Sequence, residues 1–61
     1  MSFREEIIKA TREIPDAVKR GSVQTTIRWK ETAVNALRVA NDPKSSEYEL
    51  RSALNQLQKY N

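Results

Sequence analysis

The chain contains no cysteine and no histidine among its 61 residues. A disulfide is therefore impossible, and the usual ligands of a structural zinc ion are missing. A hydrophobic core in a chain of this size supplies only about 3 to 5 kcal/mol of stability. The fold must therefore come from the packing of amphipathic elements, and we expect self-association or a partner to reinforce it.

The first part of the chain has the pattern of an amphipathic helix interrupted by a proline. Ser2 and Glu5 form a Ser-x-x-Glu capping box, which predicts a helix start. Pro15 removes a backbone donor and predicts a kink or a short break. We expect Gly21, in a left-handed conformation, to end this helix, which would span 2–20. The apolar residues form one stripe that stays in phase across the proline: Phe3, Ile7, Ala10, Ile14, Ala17 and Val18.

Two more helices follow. Ser22 is a good N-cap for a second helix over 22–41. Ser46 begins a second capping box, and the third helix is predicted over 46–60. An inward stripe repeats at intervals of three and four in this third helix: Leu50, Ala53, Leu54, Leu57 and Tyr60.

These elements predict an all-α fold and one helical domain over 1–61. The loop between the second and third helices is short, which favours an antiparallel hairpin. We expect a small three-helix bundle that forms a dimer, with its first helix kinked or broken near Pro15.

The second predicted helix carries more apolar residues than one neighbour would cover. Val23, Ile27, Val34 and Leu37 form its main apolar line, and a strip led by Trp29 extends it on one side. Trp29 could serve as a core anchor, as a hot spot at a protein interface or as a platform on which bases stack. A position in the core or at an interface is favoured. The predicted protein interface consists of Trp29, Ala33, Ala36, Leu37 and Ala40.

The segment from Ala17 to Lys30 is basic and contains no acidic residue. The other seven basic and eight acidic residues of the chain nearly cancel, so this segment accounts for the net charge of +3. An anionic partner is expected to meet the chain here. Alternatively, these charges complement a helix end and keep a small protein in solution.

Nucleic-acid binding is the alternative that this basic segment suggests. The polar face of the second helix has residue types that bind base edges and phosphates. The segment from Ala17 to Trp29 resembles a helix-turn-helix motif, although Arg20 and Ser22 flank Gly21 where that motif has apolar anchors. The candidate nucleic-acid residues are Lys19, Arg20, Gln24, Arg28, Lys30, Asn35 and Arg38.

The composition argues against an enzyme, because the commonest general base and the best nucleophile are missing. We predict no catalytic residue, cofactor, metal site or small-molecule substrate. No apolar run approaches the ~20 residues of a membrane span, so we expect a cytoplasmic protein without a membrane partner. The predicted function is a non-enzymatic protein–protein interaction module: a regulator, inhibitor or assembly factor of the kind that phages encode.

Overall fold

The chain forms four α-helices in a computed structural model that describes residues 2–60. They are α1 (Phe3–Ala10), α2 (Asp16–Lys19), α3 (Val23–Asn41) and α4 (Glu47–Gln58). The described residues contain no β-strand, so the predicted all-α class is confirmed. The radius of gyration is 11.3 Å, close to the value of about 10.5 Å for a compact chain of this length.

Serine side chains begin three of the helices. Ser2, Ser22 and Ser46 precede α1, α3 and α4, and each hydroxyl accepts a hydrogen bond from the backbone N–H three residues later, at 3.2 to 3.3 Å. These N–H groups lack partners inside the helix, which is why a serine stabilises each start. The three predicted helix starts are confirmed.

The break at Pro15 divides the first predicted helix into two. Pro15 is the N-cap of α2, and its carbonyl accepts hydrogen bonds from the N–H groups of Val18 at 2.9 Å and Lys19 at 3.0 Å. Its own missing N–H costs nothing at a helix start. Val18 still reaches the core, with 1% of its surface exposed. The break therefore keeps Val18 directed inward, whereas Ala17, which the predicted stripe also includes, is exposed.

Gly21 does not adopt the left-handed conformation, and that prediction is wrong. α2 ends at Lys19, its C-cap Arg20 is right-handed, and no glycine in residues 2–60 has a positive φ. A short turn leads directly into α3, so no left-handed cap is needed. A Cβ atom at Gly21 would lie 3.3 Å from the side chain of Thr25, so the glycine serves close approach instead.

The core forms where α3 packs against each of the other helices and α1 packs against α4. α3 contributes its tryptophan and three alanines. The small alanine side chains let neighbouring helices approach closely. α4 contributes the three leucines of its predicted stripe, which confirms that face. The buried residues are Ile7, Val18, Trp29, Ala33, Ala36, Ala40, Leu50, Leu54 and Leu57.

Arg4 joins α1 to the end of α3. Its Nε donates to the carbonyl of Ala40 at 3.2 Å, and its Nη2 donates to the carbonyls of Asp42 at 3.1 Å and Ser45 at 3.5 Å. A cation at a helix C-terminus is favoured by the helix dipole and satisfies carbonyls that have no partner within the helix. The sequence pattern placed Arg4 outside the inward stripe and did not indicate this contact.

Candidate interaction surface

The predicted interface strip of α3 lies inside the molecule. Trp29, Ala33, Ala36 and Ala40 are only 5%, 7%, 2% and 5% exposed, and Leu37 is partly buried against them. Since α1 and α4 already cover these side chains, a partner could not reach them without opening the fold. The choice of this strip as the binding surface must therefore be corrected, and Trp29 is a core anchor.

The exposed apolar surface of α3 is formed by three other residues. Val23, Ile27 and Val34 are 78%, 45% and 49% exposed. Their spacing places them within an arc of about 40° on the helix, pointing away from the core. We refer to Val23, Ile27 and Val34 as the outer apolar line.

The structure distinguishes the two sides of the apolar arc. In the sequence pattern the aliphatic residues form the main apolar line and the tryptophan and alanines its extension, whereas in the structure the tryptophan and the alanines face the core and three of the four aliphatic residues are exposed. Residue hydrophobicity alone favours burial of the aliphatic side. Close packing instead favours burial of the side on which neighbouring helices can approach α3 closely. The prediction that the arc exceeds what its neighbours cover is supported by the exposure of the outer apolar line.

Charged residues flank the outer apolar line on both sides. Lys30 lies on one side and Glu31 on the other, because successive residues are about 100° apart on a helix. Both are exposed, and together with Val34 and Asn35 they border a shallow open depression. The surface therefore combines an aliphatic centre with Lys30 on one edge and Glu31 and Arg38 on the other.

All seven candidate nucleic-acid residues are exposed. Gln24, Arg28, Asn35 and Arg38 lie on one side of α3, next to Glu31, whereas Lys30 lies across the outer apolar line. The other two basic residues lie at the end of α2: Lys19 is its last residue and Arg20 is its C-cap. The Nε of Arg20 donates to the carbonyl of Asp16 at 3.4 Å, as expected of a cation at a helix end. The structure therefore gathers four of the seven on one side of a helix.

The segment that resembles a helix-turn-helix contains only one turn of helix before its turn. α2 has four residues, and Arg20, Gly21 and Ser22 separate it from α3. The two flanking residues are exposed, as their polarity requires. The four-residue α2 is a short first arm compared with the paired helices of that motif.

No cluster of three or more acidic side chains in residues 2–60 is placed to hold a metal ion. None of the helices in this range is long and apolar enough to cross a membrane. Comparisons with protein-family models, curated proteins and solved structures find no match to this chain. Its function is therefore inferred from its residues and their geometry.

Proposed function

We propose that the protein is a small non-enzymatic protein–protein interaction module that binds through the outer face of α3. The observation that supports this proposal is the outer apolar line, three aliphatic side chains aligned in water on one helix. Alignment at intervals of about one and two helical turns is the pattern by which an amphipathic helix contacts a partner. In this proposal α1, α3 and α4 form the bundle that holds the surface rigid. The proposal also includes dimerisation of the chain.

Exposure of single apolar residues would not support such a role. Scattered aliphatic side chains are normal on protein surfaces, whereas apolar residues gathered in one patch with a polar rim are typical of interaction sites. Val23 is the most exposed of the three at 78%. The chain has few large aliphatic residues to form its core, so three of them on one exposed arc point to a partner.

Affinity capture with matched variants tests this proposal. The wild-type chain and the variants Val34→Lys and Tyr48→Lys would be immobilised and exposed to a lysate of the source organism, with bound proteins quantified by mass spectrometry. We expect a defined partner to bind the wild type and Tyr48→Lys equally and to lose at least about 90% of its signal with Val34→Lys. Tyr48 is 81% exposed on α4, so it reports the effect of a lysine placed elsewhere. Equal capture by all three proteins, or no specific capture and no self-association, would contradict the proposal.

Nucleic-acid binding is the second candidate, and the shared side of Gln24, Arg28, Asn35 and Arg38 is the observation that favours it. Fluorescence anisotropy with labelled 20-mer single- and double-stranded DNA and with RNA, at about 50 and 200 mM salt, tests it. Binding by this side requires salt-sensitive affinity that Arg28→Ala weakens and the uncharged substitution Val34→Ala leaves unchanged. An unchanged affinity in Arg28→Ala would exclude this side of α3 as the site.

A further inference from the structure

We infer that the outer apolar line binds a second copy of this chain, with the two α3 helices packed side by side and parallel. This inference rests on the proposed function, since it names the partner of the same surface. It is carried by the placement of Lys30 and Glu31 on opposite edges of that line at nearly the same height along α3, whereas Arg38, on the Glu31 edge, lies about 12 Å further along the helix.

The aliphatic residues suit a symmetric helix pair. In a parallel pair related by a two-fold axis, each residue lies at the same height as its own copy, and the residues on the contact line lie beside their own copies. Val23, Ile27 and Val34 would then each meet the same residue of the second copy. Their exposed fractions of 78%, 45% and 49% provide apolar surface along most of the helix. α3 is 19 residues long, or about 28 Å, so a parallel pair would stay in contact for several turns.

The flanking charges select the parallel arrangement. When two helices pack parallel, the left edge of one faces the right edge of the other, so Lys30 would lie beside Glu31 of the second copy. The symmetric contact would repeat this pair, giving two interactions between opposite charges. In an antiparallel pair with the same aliphatic overlap, like edges would meet, and Lys30 would approach Lys30 of the second copy. Opposite charges favour association and like charges oppose it.

The size of the chain gives a reason for association and limits its strength. The solvent-accessible surface is 4645 Å², and specific interfaces cover about 600 to 800 Å² on each partner. One helix face is at the small end of that range, so we expect a reversible dimer with a Kd on the order of 100 μM. Detecting it requires concentrations up to about 1 mM.

Sedimentation equilibrium between about 10 μM and 1 mM tests whether this surface self-associates. We expect the wild type and Tyr48→Lys to form dimers and Val34→Lys to weaken dimerisation at least tenfold. Both replaced side chains are exposed, so circular dichroism should show unchanged helix content in the two variants. A wild-type chain that stays monomeric at 1 mM, or a dimer that Val34→Lys leaves intact, would overturn the inference.

A single engineered cysteine tests the direction of the helices, because the chain has no cysteine of its own. In a parallel pair, Val23→Cys would bring two thiols within disulfide range, where Cα atoms are about 4.4 to 6.8 Å apart. In an antiparallel pair with the same aliphatic overlap, these positions would be about 16 Å apart. We expect Val23→Cys to form a covalent dimer on oxidation much faster than Tyr48→Cys. Equal cross-linking rates would overturn the parallel arrangement.

Charge exchange tests the flanking pairs. Lys30→Glu and Glu31→Lys should each weaken dimerisation about three- to tenfold, and the double variant should restore it to within about twofold. If the double variant is no better than the single variants, the proposed pairing is wrong. A wild-type chain that stays monomeric but captures another protein, with the capture lost in Val34→Lys, would overturn the inference that a second copy binds here. The proposed function would still hold.

Discussion

The contact of Arg4 with the end of α3 predicts a large loss of stability from one partly exposed side chain. Arg4→Met keeps most of the apolar stem but removes the guanidinium, leaving the carbonyl groups of Ala40, Asp42 and Ser45 without this donor. A hydrogen bond that involves a charged group contributes about 1.5 to 3 kcal/mol when well formed. Two of these bonds are at 3.1 to 3.2 Å and the third is at 3.5 Å. Because solvent reaches the site, we expect a combined loss of only about 2 kcal/mol.

Urea denaturation followed by the fluorescence of the buried Trp29 measures this loss directly. For a domain of this size, 2 kcal/mol corresponds to about 8 to 16 °C in Tm. Arg12→Met is the matched control, because Arg12 is exposed and lies between α1 and α2. The control should change the free energy of unfolding by less than about 0.5 kcal/mol. If Arg4→Met were no more destabilising than Arg12→Met, Arg4 would not stabilise the end of α3.

Three further substitutions test the core and the turns. Trp29→Ala should lower the free energy of unfolding by about 3 to 5 kcal/mol, which equals the whole stability expected of this chain. Circular dichroism should therefore show a largely unfolded protein. A cooperative melt near that of the wild type would exclude Trp29 from the core. Ser46→Ala should cost about 1 kcal/mol in urea denaturation because the N-cap of α4 is lost, whereas Ser45→Ala should cost little. Gly21→Ala should change the free energy of unfolding by less than about 1 kcal/mol, since the backbone of Gly21 is not left-handed and the new methyl group only crowds Thr25. A larger loss would indicate that Gly21 adopts the left-handed conformation after all.

Local signals in the sequence were sufficient to predict the helices. The serine caps fix three helix starts, because each places a hydroxyl near a backbone N–H that has no other partner in the helix. The effect of Pro15 was also local and predictable. Its missing N–H excludes it from a helix interior but fits a helix start, which is where the structure has it.

The choice between the two sides of α3 could not be made from local signals. Val23, Ile27 and Val34 are more apolar than alanine, so a reading by residue type turns them inward. The structure instead buries Ala33 and Ala36, because α1 and α4 both pack against that side. This preference depends on how closely three helices approach one another, which is a property of the assembled fold. The contact of Arg4 with carbonyl groups some forty residues away could not be predicted for the same reason, since it also depends on the assembled fold.

The burial of the alanine strip connects the stability of the chain to its proposed role. Alanine side chains allow close helix packing but contribute little apolar area, so a core that contains three of them is small even for 61 residues. Three larger aliphatic side chains of α3, those of the outer apolar line, remain outside, where they add little to the stability of a single copy. Covering them by a second chain would add the burial that the core lacks, and binding to the native state alone stabilises it by mass action. In this arrangement, the side chains that could have strengthened the core are the ones that provide the binding surface.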